Sequence, residues 1–261
     1  MSLLAGKTGL IVGIANERSY AWYIAQSLMQ HGATCAFTHL PGDRNAHRTS
    51  RAIKELGVEN PWLKPMDASK DEEIGATFEQ YGRDFGKLDF LIHSIAFADR
   101  DLLQPGKFIT TGRQQYLSAI DISSYTLLAM ARAAHPLMAK SGGGSILAMS
   151  YYGAEKVVSG YNVMGVAKAA LECTGRYLAN ELGQDKIRVN IISGGYLRTL
   201  ASSAVGGTSK MEEEVPKRAP LRRNVEGEDV GKTAAFLVSD MSSGMTGEVL
   251  YVDCGVNILG A

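Results

Sequence analysis

The chain has 261 residues, 45% of them apolar, and a formal net charge of zero. That length suits one α/β domain with an ample core, and the charge balance leaves no electrostatic footprint for nucleic acid. No stretch of about 18 apolar residues occurs and the start lacks a signal-peptide core, so a soluble, cytoplasmic protein without membrane insertion is expected. Along the chain, short apolar runs alternate with longer helical patterns. Thr8–Gly13 reads as a strand, Ser19–His31 as a helix, Thr34–His39 as a strand and Asn45–Leu56 as a helix. Strand Trp62–Met66 precedes helix Lys70–Phe85, and strand Leu88–His93 precedes a helical pattern filling most of Gly112–Lys140. Strand Ser145–Met149 is followed by a long helix over Tyr161–Leu182. Strand Ile187–Ile192, helix Glu226–Leu237 and strand Val249–Val252 complete the series. Strands apolar throughout belong to a parallel sheet covered on both faces. Regular alternation with helices predicts an α/β fold, a single Rossmann-type doubly wound parallel sheet of about seven strands. Residues 1–261 are expected to form one dinucleotide-binding and catalytic domain. Ser193–Arg223 breaks the rhythm, and a segment of about 194–223 is expected to form a substrate lid. Cys35, Cys173 and Cys254 are widely spaced and odd in number, which suits reduced thiols. The five histidines show no metal-ligand spacing, so no metal is expected.

A dinucleotide site needs glycine where the first strand meets the first helix, because the backbone must approach the pyrophosphate there. No GxGxxG is present. Gly13 closes the strand, and Ser19 begins the helix, where it can cap the first turn and offer its hydroxyl to a phosphate. A plain turn with an N-capped helix and no ligand explains the same residues.

Two tyrosine–lysine pairs follow the fifth strand. Tyr152 and Lys156 have the four-residue spacing common in short-chain dehydrogenases. Gly153, Val157-Val158 and Ser159-Gly160 argue that this stretch is a loop. Tyr161 and Lys168 are seven residues apart, two helical turns, and strong helix formers follow Lys168. This second pair is preferred. A tyrosine hydroxyl near an ammonium suits donation to a developing oxyanion, and the same ammonium suits ribose hydroxyls. The plainer alternative is a core tyrosine and an exposed helix lysine.

These residues carry a family resemblance over essentially the whole chain. Gly13-Ile-Ala-Asn-Glu-Arg-Ser19-Tyr-Ala21-Trp, His93-Ser94-Ile95-Ala96-Phe97-Ala98, Arg188-Val-Asn-Ile-Ile-Ser193 and Arg198-Thr199-Leu200-Ala201 all contribute, as does Gly247-Glu-Val-Leu-Tyr-Val-Asp253. Tyr151, Tyr161 and Lys168 fall on a Tyr-x9-Tyr-x6-Lys spacing. The sequence resembles the bacterial enoyl-acyl-carrier-protein reductases, a divergent branch of the short-chain dehydrogenase superfamily. The resemblance implies reduction of the C2–C3 double bond of an enoyl thioester on acyl carrier protein, the last reductive step of fatty acid elongation. NADH is the implied cofactor, with NADPH the alternative, and a homotetramer the implied assembly. It implies that Tyr161 donates to the enolate oxygen, Lys168 binds the nicotinamide ribose and Tyr151 shapes the pocket. Ala98 would meet the thioester through its backbone, with Met164 and Thr208 also on the substrate. Gly13, Ser19, Tyr20, Leu40, Asp67, Ala68, Ser94, Ile95 and Ala96 would line the cofactor, with Leu197, Arg198 and Thr199 covering it.

The sequence departs from the family pattern at several places. Tyr23 stands where many members have glycine, and Leu40 replaces a polar residue that commonly meets the ribose. Gly194-Gly195-Tyr196 replaces a common Ala-Gly-Pro. In the lid, Thr208 sits where an aromatic residue is frequent, and Gly206 and Ser209 replace basic residues. Lys210 remains, and Glu212, Glu213 and Glu214 then place like charge before an acidic carrier protein. Two other readings stand beside the reductase: a carbonyl or alcohol dehydrogenase built on Tyr152–Lys156, and a cofactor-binding paralogue with weak or lost activity.

Overall fold

The computed structural model describes residues 2–200, 202, 205, 206 and 208–260, with the side chains of 208–210 left out. Seven parallel strands form one sheet: β1 (Thr8–Val12), β2 (Thr34–His39), β3 (Leu63–Pro65), β4 (Phe90–His93), β5 (Gly144–Ser150), β6 (Ile187–Gly194) and β7 (Val249–Val252). Their order is β3-β2-β1-β4-β5-β6-β7. The chain winds outward from β1 in one direction, then restarts at β4 in the other. The C-terminal ends of β1 and β4 therefore diverge at the crevice where such sheets bind ligands.

Neighbouring strand residues face opposite sides, and both sides are buried. Leu10, Leu91 and Ile146 pack on α3 (Asp71–Phe85), α5 (Thr126–Lys140) and α6 (Val163–Leu182). Ile11, Phe90 and Leu147 pack on α1 (Tyr20–Gln30), α2 (Asp43–Lys54) and α8 (Gly227–Val238). Two further helices are α4 (Arg113–Ile120) and α7 (Thr208–Arg218). Among the described residues, no helix is long and apolar enough to cross a membrane.

The structure refines four local readings. Helix α1 starts at Tyr20, and the Ser19 side chain makes no capping hydrogen bond. The pattern over Gly112–Lys140 is not one helix: a π-helical turn, Asp121–Tyr125, separates α4 from α5. Helix α6 begins at Val163, not Tyr161, because Asn162 has φ +49° and cannot continue a helical turn. Strand β6 runs on to Gly194, and the irregular segment after it contains α7.

Candidate active site

The ends of β1, β4, β5 and β6 open into a cavity of about 640 Å³. Its floor is the turn after β1. Gly13 has φ +112°, and a Cβ there would lie 2.1 Å from the Ser94 carbonyl oxygen. Only glycine fits, so the turn stays open to the cavity. Ser19 closes the turn: its hydroxyl donates to the Asn16 carbonyl at 2.7 Å. The Tyr20 hydroxyl donates to the Gly195 carbonyl at 2.7 Å, tying α1 to the chain leaving β6. A Cβ at Gly194 would sit 2.9 Å from the Tyr20 ring, so glycine at this position makes room for Tyr20.

At the β2–β3 end the cavity is walled by Leu40, Asp67 and Ala68. Leu40 is 60% exposed. Asp67 accepts from the Ser69 hydroxyl at 2.7 Å and the Ser69 amide at 3.0 Å, bonds that hold its carboxyl below the usual range. Arg48 and Asn45 also line this end. Arg48 Nη2 donates to Asn45 Oδ1 at 3.2 Å, and its buried Nε has no hydrogen-bond partner. From sequence, Arg48 stands out only as a cation that could fold back onto the ribose under an NADPH preference; Asn45 does not stand out, because an amphipathic surface helix hides which polar residues turn inward.

Ser94, Ile95, Ala96 and Ala98 form the middle wall. Beyond them stand Tyr151, Tyr161, Met164 and Lys168. The two tyrosine rings meet edge to face, with centroids 5.0 Å apart and planes at 73°. Lys168 is 5% exposed and its Nζ donates to the Met149 carbonyl at 2.7 Å. One turn further along α6, Glu172 Oε1 accepts from the Ser150 hydroxyl at 2.5 Å. Two consecutive residues at the end of β5 are thus clamped to α6, and the next is Tyr151. Burial pushes the Tyr161 hydroxyl far above the ordinary phenol range, helped by Tyr151 and Glu172, so it stays protonated and can donate. Burial pulls the Lys168 ammonium down to about 8, with Glu172 acting in the opposite sense.

Tyr161 and Lys168 do share a wall, but not as residues two turns apart on one helix. Tyr161 reaches the site from the turn before α6. Arg198 is a second correction. Leu197 and Thr199 line the cavity, whereas Arg198 lies in a separate hollow, 3.6 Å from Glu212. The Thr208 side chain and Ala201 lie outside the described residues. Neither Tyr152 nor Lys156 lines the cavity, and Lys156 pairs with Glu155 at 3.3 Å. Ile122, Met149 and Val158 complete the apolar lining. Ile122 was hidden because its helical pattern gives no sign of the π turn.

The family model for enoyl-(acyl carrier protein) reductase matches residues 13–257. The chain belongs to this family. It is 51% identical over 260 residues to the enoyl-acyl-carrier-protein reductase (NADH) of Nostoc sp., covering 98% of each chain. It is 47% identical over 256 residues to the NADPH enzyme of Staphylococcus aureus, covering 98% of each. The crystal structure of the Bacillus cereus reductase with NADP+ and indole naphthyridinone superposes with a TM-score of 0.95 at 46% identity, covering 100% of both chains. Against this family pattern, the bulk of Tyr23 is absorbed by α8: a Cβ at Gly227 would lie 2.1 Å from the Tyr23 ring. That departure is a packing exchange outside the cavity.

Proposed function

We propose that the protein reduces the C2–C3 double bond of an enoyl thioester carried on acyl carrier protein, taking the hydride from NADH, with NADPH as the alternative donor. The observation that supports this most is the shared wall of Tyr151, Tyr161 and Lys168 at one end of a cavity that starts at the glycine turn after β1. The cavity fits a dinucleotide. Gly13 leaves room for a phosphate that any Cβ would fill, and its volume lies within the range of about 300–1,000 Å³ usual for cofactor sites. Gly13, Ser19 and Tyr20 would sit against the pyrophosphate, Leu40, Asp67 and Ala68 against the adenosine, and Ser94, Ile95 and Ala96 along the channel. Leu197 and Thr199 would cover the nicotinamide, while Arg198 lies outside this cavity.

When bound, the nucleotide would supply the hydride to C3 of the acyl chain, and a proton drawn from solvent would complete the reduction at C2. The Tyr161 hydroxyl donates a hydrogen bond to the thioester oxygen as that oxygen gains enolate charge. A donor fixed before reaction needs no reorganisation, which is why such groups lower barriers so effectively. Lys168, which lines the cavity with its Nζ bonded to the Met149 carbonyl, would hold the nicotinamide ribose. Ala98 offers its backbone to the thioester, and Tyr151 with Met164 shapes a dry pocket. We read the chain as one domain with residues 194–223 as lid, acting as a cytoplasmic homotetramer. Loss of nicotinamide absorbance with crotonyl-coenzyme A, and none with ketones, is the expected result. Turnover of ketones alone would replace this reading with a carbonyl reductase.

A further inference from the structure

The π-helical turn Asp121–Tyr125 is a costly irregularity in the middle of a helical run, and such turns concentrate at functional sites. Here it is bonded from two directions to the end of β4 and to the chain that follows. On one side, the Thr126 hydroxyl donates to the Ile122 carbonyl at 2.7 Å. That uses its single proton, so the His93 ring at 2.8 Å must donate from Nε2 to the Thr126 oxygen. His93 is fully buried, and burial holds it near 3, so it stays neutral and keeps this role. On the other side, the Ser123 oxygen accepts from the Phe97 amide at 3.0 Å. The Ser123 proton faces the Phe97 carbonyl at 3.3 Å and the Met164 sulfur at 3.8 Å. Ser123 itself is fully buried, whereas the Phe97 side chain is 47% exposed. The loop Ser94–Ala98 is therefore not fixed by burying its largest side chain. It is fixed through its backbone.

We propose that Ser123 is a positioning residue for the acyl thioester, and that the π turn exists to bring it beneath Phe97. By holding both polar backbone groups of Phe97, Ser123 fixes the backbone that leads directly into Ala98, a residue lining the cavity. The Met164 sulfur, 3.8 Å from the same oxygen, places Ser123 against a second residue that lines the cavity. A regular helix through 113–140 would rotate Ser123 and Ile122 away from these partners, because one residue fewer would stand between α4 and α5. The inference rests on the enoyl-thioester reading above.

The test uses the intact protein and three variants: Ser123→Ala, Ser123→Cys and Ser124→Ala. Ser124 belongs to the same turn and is as buried, but its hydroxyl meets Thr174 Oγ1 at 3.3 Å, away from the loop. Ser123→Ala should raise the KM for crotonyl-coenzyme A by about fivefold to tenfold, the scale of one lost hydrogen bond. The NADH dissociation constant, read by fluorescence, should stay within about twofold. Ser123→Cys keeps the volume and a weak acceptor, and should recover part of the loss. Ser124→Ala should leave the KM unchanged even where it lowers the melting temperature. The proposal is overturned if Ser123→Ala leaves the KM unchanged, if Ser124→Ala matches it, or if NADH affinity falls in step with KM. Should both Ser123 variants fail to fold while Ser124→Ala folds, the residue's role is purely structural and the proposal is equally lost. A wild-type protein inactive on crotonyl-coenzyme A would sink the enoyl-thioester reading instead, which separates the two failures.

Discussion

The two ends of the cavity are built on different principles. The nucleotide end is made by strand ends: Gly13 follows β1, Leu40 follows β2, Asp67 and Ala68 follow β3, and Ser94 follows β4. Once the sheet forms, these residues have nowhere else to be. The thioester end is made by exceptions to regular backbone. Asn162 with φ +49° stops the helix short of Tyr161, and a π turn delivers Ile122 and Ser123. Binding at the first end thus depends on register in the sheet, and chemistry at the second depends on a few backbone departures held by buried side-chain hydrogen bonds. The departures concentrate where geometry must be set most narrowly.

The sharpest way to break this division is Tyr161→Phe. The hydroxyl acts in the transition state, so kcat should fall by about a hundredfold. NADH affinity should hold, because the sheet-borne end is untouched. Loss of NADH binding in this variant would show that the two ends are one mechanical unit. Next in size is Gly13→Ala, which attacks the other end. The new Cβ would meet the Ser94 carbonyl, and φ +112° strains any L side chain. A loss of about 1–3 kcal/mol in stability is expected from that strain. NADH affinity should fall steeply, while the edge-to-face pair of Tyr151 and Tyr161 stays in place. Thermal melting and a fluorescence titration measure the two effects.

How far each end could be read from sequence follows from the same contrast. Apolar runs fixed all seven strands to within a few residues, and with them the order of the residues along the nucleotide end. Tyr161 and Lys168, preferred over Tyr152 and Lys156, both line the cavity, but not for the reason given. Helical spacing supplied the argument, yet Tyr161 stands outside the helix. The π turn left no trace, since Asp121-Ile-Ser-Ser-Tyr125 reads as ordinary helix. Arg198 was assigned to the cofactor with its neighbours, but it points to another hollow. Family patterns place residues along the chain, and only backbone geometry says which way each faces.

Lys168 bridges the two ends and offers a pH test. Its value is drawn down to about 8, so the ammonium is present below that pH and is lost as pH rises through it. The kcat/KM for NADH reports the free enzyme, and should fall by about tenfold per pH unit above this break. Lys168→Arg cannot lose its proton in this range and should flatten the alkaline limb, whatever it costs in absolute rate. An unchanged limb in that variant would assign the break to another group. A smaller effect is expected at Arg48. Its side chain lines the cavity near the end of β2 with a buried Nε lacking a hydrogen-bond partner, and the residues directly after β2, Leu40-Pro41-Gly42, include no carboxylate to repel a 2′-phosphate. Arg48→Ala should lower kcat/KM for NADPH several-fold more than for NADH. Equal losses with both cofactors would make Arg48 a structural support alone.

The smallest effect is expected at the lid, where sequence alone suggested a penalty for docking. Three consecutive glutamates facing an acidic carrier protein would slow encounter if all three were free. In the structure Glu212 lies 3.6 Å from Arg198, and Glu214 lies 2.7 Å from Lys217. Each of these carboxylates brings a cation with it, so the field they present to an incoming anion is largely cancelled within a Debye length of about 8–10 Å. Replacing all three with Gln removes three negative charges but also frees Arg198 and Lys217. Steering by those two freed cations should raise kcat/KM on acyl-carrier-protein substrates by about twofold at low salt, and the gain should vanish at higher ionic strength. Crotonyl-coenzyme A turnover should stay within error, because the glutamates do not line the cavity. Adding Arg198→Ala and Lys217→Ala to the triple variant separates the contributions. If the gain persists without those cations, the glutamates themselves repel the carrier protein. If it disappears, paired charges on the lid had cancelled one another, and the glutamates add nothing to the barrier against docking.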